Sequence, residues 1–84
     1  MRPRRLLKRI ATAQHNVRFS DALTLAKALG FRLARVEGSH HILIHPAVPE
    51  PLNLQNVRGQ AKPYQVKQLL HLVERYNLQL DEEI

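Results

Sequence analysis

Cysteine is absent from the 84 residues, so neither a disulfide nor a thiolate metal site can supplement the core. No apolar run is long enough to span a bilayer. The opening Met1-Arg2-Pro3-Arg4-Arg5 has no signal-peptide apolar region behind it, so a soluble cytoplasmic protein is the default expectation. Repeats, low-complexity segments and interdomain linkers are also missing. What is left is one small domain, of a size that buries only about 60% of its unfolded surface.

Acid is missing too, but only at the front. Residues 1–20 carry Arg2, Arg4, Arg5, Lys8, Arg9 and Arg18 with no Asp or Glu. The middle holds Lys27, Arg32, Arg35 and Arg58 against Asp21, Glu37 and Glu50, and the last third is slightly acidic. The net charge of +6 therefore sits on the front and middle of the chain. Such a balance points to a polyanion or an acidic protein as partner.

Residues 3–13 read as a short helix with Leu6, Leu7 and Ile10 as its apolar stripe. The same residues suit a frayed basic arm, since nothing caps them and short isolated helices are marginal. A second helix is expected over 21–29, with Ser20 as N-cap, Asp21 at the positive end of the dipole and Gly30 as its stop. Residues 31–37 read as a strand of imperfect alternation, Gly38-Ser39 as a tight turn and 40–45 as a second strand. Pro46, Pro49 and Pro51 bracket a loop expected to lie outside any central strand. A short third strand follows at 52–55. The final helix starts at Pro63, carries Val66, Leu69, Leu70 and Val73 on one face, and ends at Asn77. The expected fold is α+β, a three-stranded antiparallel sheet with helices on one face. Its helix–strand–strand–strand–helix core, after a first basic helix, has the order of double-stranded RNA-binding domains.

Three of the five histidines fall within six positions, in Gly38-Ser39-His40-His41-Ile42-Leu43-Ile44-His45-Pro46. Histidine is the side chain best suited to moving protons near neutral pH, so a cluster on a basic protein suggests chemistry on an anionic substrate. Imidazoles that merely decorate a strand are the alternative. Strand parity puts His40, Ile42 and Ile44 on one face and His41, Leu43 and His45 on the other.

The glycine-serine-histidine motif in this strand, preceded by Gly30-Phe31-Arg32, resembles the HicA family of toxin components. Leu52-Asn53-Leu54-Gln55 and Gly59-Gln60-Ala61-Lys62-Pro63-Tyr64-Gln65-Val66 resemble one branch of it. The resemblance divides the chain into a basic N-terminal extension at 1–16, a HicA-like domain at 17–78 and an acidic tail at 79–84. It implies a double-stranded RNA-binding-like fold, ribonuclease activity on messenger RNA, and neutralisation by a HicB-type antitoxin. The family's catalytic histidine directly follows glycine and serine, which here is His40. Two departures stand out. The basic extension precedes the usual family start, and the region before the last helix reads Ala61-Lys62-Pro63-Tyr64-Gln65, where many members have histidines or Gly-Thr-Leu.

Cleavage of RNA fits these residues. The substrate carries its own nucleophile, the 2′-hydroxyl, so the protein must supply a base, charge stabilisation at phosphorus and an acid. Imidazole suits the base or acid role, and lysine or arginine the stabilising one. Gly38, Ser39, Arg35 and Lys62 are the candidate substrate-binding residues, and His41 and His45 are candidates for a second acid or base. Ser39 is read as a turn residue, not a nucleophile. The scheme requires no metal or cofactor, and His41 and His45, about 13 Å apart along a strand, cannot share one ion. A non-catalytic RNA-binding module on the same scaffold is the rival expectation, and a toxin decayed to a pure protein-binding partner a third. His15 and His71 are expected on the surface, and Tyr64 and Tyr76 as packing or rim residues.

Overall fold

A computed structural model describes residues 2–81. Helix α1 (Pro3–Thr12) has Pro3 in its first turn, where the missing N–H bonds nothing in any case. Leu6 and Ile10 lie one turn apart and are 1% and 2% exposed. They join a core cluster with residues of α2 (Phe19–Ala28), so the basic segment is a docked helix and not a frayed arm.

The start of α2 corrects the expectation of a Ser20 cap. The helix begins two residues earlier than expected, at Phe19, and no side chain caps it. Instead the Phe19 N–H donates to the Gly59 carbonyl at 2.9 Å, a partner forty residues away in the chain. A tertiary backbone bond has taken the place of the local one. At the other end Gly30 adopts φ +100°, a conformation that glycine reaches without strain.

Four antiparallel strands follow in spatial order: β1 (Arg32–Glu37), β2 (His40–His45), β3 (Val48–Val57) and the two-residue β4 (Gln60–Ala61). The expected three strands are present, with β4 added, and β3 is much longer than 52–55. Pro49 and Pro51 lie inside it. They are tolerated because Leu43 faces Leu52 while His45 faces Val48, which leaves residues 49–51 bulged against Ile44 alone. Furthermore β4 flanks β3 only at Asn56 and Val57, so no described strand needs an N–H from either proline. A second bulge, at Ala34 of β1, explains the imperfect alternation there: Leu33 faces Leu43, but Arg35 already faces Ile42.

Helix α3 (Pro63–Tyr76) buries Val66, Leu69 and Leu72 against the sheet's inner face, where Leu43, Leu52 and Leu54 are fully enclosed. It stops at Asn77 in the left-handed conformation, and the Leu78 N–H returns to the Val73 carbonyl at 3.0 Å. The tail expected to be loose is held as far as it is described. Leu78 and Leu80 pack on the core, and the Asp81 N–H donates to the Ala28 carbonyl at 2.7 Å. Glu82 and Glu83, two of that tail's three acids, lie outside the described residues. The result is an α+β domain of double-stranded RNA-binding type, with its helices on one face of the sheet. Among the described residues no helix is long and apolar enough to cross a membrane.

Candidate active site

The site is set by the turn between β1 and β2. Gly38 has φ +60° and Ser39 a negative φ, the pattern of a type II′ hairpin turn. A two-residue turn makes Glu37 and His40 direct partners, and β3 sets Gln55 on the other side of His40. His40 therefore opens onto the helix-free face of the sheet, partly buried between two polar neighbours.

Its ring is held from one side only. The Asn53 amide lies against His40 Nδ1, with Nδ2 at 3.0 Å and Oδ1 at 3.2 Å. An amide can serve either neutral tautomer: its oxygen accepts from Nδ1–H, which leaves Nε2 bare, or its nitrogen donates to a bare Nδ1. With the oxygen as acceptor the same bond persists when Nε2 gains a proton. Among the described residues Nε2 has no protein partner. On the same face the Arg35 guanidinium pairs with Glu37, Nε to Oε2 at 2.6 Å. Both side chains are 64% exposed, so this pair adds little stability, but it places a guanidinium near the carboxylate opposite His40.

The other two strand histidines point away from this site. His41 packs against Phe19 with the rings tilted by 55° and their centroids 4.6 Å apart, and its Nδ1 lies 3.3 Å from the Ser39 carbonyl. At the far end of β2, His45 has both nitrogens occupied. Its Nδ1 accepts from the Ala47 N–H at 2.9 Å, which leaves the proton on Nε2, and that N–H donates to the Leu29 carbonyl at 3.0 Å. Phe31 meets the ring edge-on at 5.1 Å. Gly30 is needed for this approach, because a Cβ there would lie 2.7 Å from Nε2. His45 thus ties the end of α2 to the end of β2.

Lys62 lies across the sheet from the turn, and its side chain makes no hydrogen bond or ion pair with Gly38, Ser39, His40 or Arg35. The Asn56 N–H donates to the Ser39 carbonyl at 2.9 Å, and Asn56 faces Ala61, so Ser39, Asn56 and Ala61 form one row. Lys62 follows Ala61 directly, about two strand spacings (~10 Å) from the turn. Gln65 holds this end of α3 in place: it is 1% exposed, and its Oε1 accepts from the Gln55 N–H at 2.7 Å. The Lys62 ammonium lies 5.9 Å from the centre of the Tyr64 ring, itself 62% exposed. Tyr76, in contrast, donates its hydroxyl to Glu50 at 3.0 Å. His15 and His71 are exposed. Among the described residues no three His, Asp or Glu side chains come together as a metal-binding group.

The hairpin thus brings Gly38, Ser39, His40 and Arg35 together and leaves His41 and His45 on the other face. Sequence reasoning missed Glu37, Asn53 and Gln65. The first was within reach, since a two-residue turn pairs positions 37 and 40. The amide and the buried glutamine depend on the register of β3, which its bulge obscures.

A family model described as the HicA toxin of bacterial toxin–antitoxin systems matches residues 19–74, well over half of the chain, from the first residue of α2 into the last turn of α3. Helix α1 lies outside the match. No curated protein and no solved structure matches the chain.

Proposed function

The chain belongs to the HicA family, toxins of bacterial toxin–antitoxin systems, and from that premise we propose that it is an endoribonuclease that cuts messenger RNA with His40 as its acid–base group. The observation that carries this reading is the asymmetry of the His40 ring. One nitrogen is clamped by an amide whose oxygen can accept from Nδ1–H whether or not Nε2 is protonated, and among the described residues the other has no protein partner.

In this reading an RNA strand crosses the open sheet face at the turn between β1 and β2. Arg35 and Lys62 hold phosphates on either side of His40, and the short Gly38-Ser39 turn lets the backbone approach. His40 Nε2 takes the proton of the 2′-hydroxyl as that oxygen attacks phosphorus. The bond to the 5′-oxygen breaks, and the imidazolium returns a proton to the leaving oxygen. As the ring gains and loses its charge, the Asn53 amide keeps it in place. Proton transfer by a positioned side chain is worth roughly 10²–10⁴-fold. The contacts of His41 and His45 favour structural duties for both, so this scheme uses one histidine.

The partner in this reading is a HicB-type antitoxin that covers the region around Gly38, Ser39, His40 and Lys62. A standard interface occupies about 800 Å² per side, an area that is hard to place on a domain this small without screening the turn. The positive charge there favours an inhibitor with acidic groups.

The test is cleavage of RNA by the purified protein in the presence of chelator, wild type against His40→Ala. Cleavage by wild type alone supports the reading. Equal cleavage by both removes His40 from the chemistry, and RNA binding without cleavage by either leaves a binding module.

A further inference from the structure

β1 forms one edge of the sheet, and all six of its residues are exposed. Among the described residues nothing pairs with its outer side. Two large apolar side chains lie on it uncovered, Leu33 at 37% and Val36 at 50% exposure. A free edge of this kind recruits another strand unless its side chains prevent it. Here the charges do not repel a copy of the same strand; they match it.

Consider two copies of β1 running antiparallel about a two-fold axis perpendicular to the sheet. Directly opposed residues must then lie on the same face. A regular strand meets that condition only when some residue faces its own copy. The bulge at Ala34 changes the parity. It places Leu33 and Val36, three positions apart, both on the helix side, and Arg32, Arg35 and Glu37 on the open side. One register now matches every flanking pair: Arg32 faces Glu37 of the second copy, and Leu33 faces its Val36. Symmetry repeats each pair. Slipping by one residue in either direction sets Leu33 against Arg35 or Glu37, which lie on the other face.

We propose that a second copy of this chain docks along β1 in that register and continues the four-stranded sheet into an eight-stranded one. Opposite charges and apolar pairs directly across strands each favour the pairing by roughly 0.2–1 kcal/mol. The strand is short, and its contact falls below the ~800 Å² per side of a stable interface. The dimer is therefore weak and concentration-dependent. It also has a consequence for the site. His40, Glu37 and Arg32 of the second copy fall in one row across three strands, so each His40 gains a guanidinium from the other copy about 10 Å away. Both histidines then open on the same face of one continuous sheet. This proposal rests on strand register and holds whether or not His40 cuts RNA.

Sedimentation equilibrium of the full chain tests it. The mass rises from monomer towards dimer between micromolar and millimolar concentration, and the β1 amides gain protection from hydrogen exchange in parallel. Glu37→Arg and Arg32→Glu each weaken association by roughly tenfold or more, because each places like charges opposite one another twice. The double variant R32E/E37R restores the pairs with their signs exchanged and regains dimerisation. That recovery separates specific pairing from damage to the fold, which circular dichroism checks independently. A chain that stays monomeric throughout, a dimer indifferent to either reversal, or a double variant that fails to recover would each overturn the proposal.

Discussion

His40 and His45 stand at the two ends of one six-residue strand, on opposite faces, and the contrast between them separates proton transfer from architecture. Residue type and strand are the same. His45 has a hydrogen bond on each ring nitrogen and an aromatic ring on its edge, so its tautomer is set and neither nitrogen is left over. His40 has an amide on one nitrogen and the open face of the sheet at the other. A histidine with two backbone partners holds a fold together. One with a single adaptable partner can hold its place while its proton leaves.

Substitutions that exchange these duties give the sharpest tests. The largest effect is expected at the open end: His40→Ala lowers RNA cleavage by roughly 10²–10⁴-fold while the urea midpoint stays close to wild type. At the closed end the signs reverse. His45→Ala removes two hydrogen bonds and a ring contact, at a cost of about 2–3 kcal/mol in urea unfolding. Cleavage per folded molecule is retained. Should His45→Ala lose cleavage at full stability, the contrast would collapse.

Smaller changes sharpen it further. Asn53→Ala leaves His40 present but unclamped, and cleavage falls by about tenfold without a comparable loss of stability, consistent with the loss of one positioning bond of about 1–1.5 kcal/mol. The smallest effect per residue belongs to α1, which is docked by Leu6 and Ile10 and lies outside the family match. Reversing Arg4, Arg5, Lys8 and Arg9 to glutamate leaves the fold intact and flattens the salt dependence of RNA binding, each lost phosphate contact reducing the log–log slope by roughly 0.7. An unchanged slope would remove α1 from the RNA path.

Much of this arrangement was legible in the sequence, because local patterns carried it. The turn at Gly38-Ser39, the parity of β2 and the apolar face of α3 depend on residues within a few positions of one another. What escaped depends on partners far away in the chain. The start of α2 answers to the Gly59 carbonyl and not to Ser20. The reach of β3 past Pro49 and Pro51 needs a bulge that no local rule announces. Parity assigned His45 to its face, but its duty comes from the Leu29 carbonyl, reached only because position 30 has no Cβ. In the same way, Asn53 meets His40 through the register of β2 with β3, so the motif that marks the histidine says nothing of the amide that holds it.

The central claim, that one strand carries a working histidine and a structural one, is tested most directly by imidazole nitrogen NMR on the folded protein. The ligand is an RNA with the 2′-hydroxyl removed at the cut site, so that it binds without being cleaved. The account predicts that the His40 ring signals move on binding, whereas those of His45 stay in place with the proton on Nε2. Movement at His45 with none at His40 would contradict it.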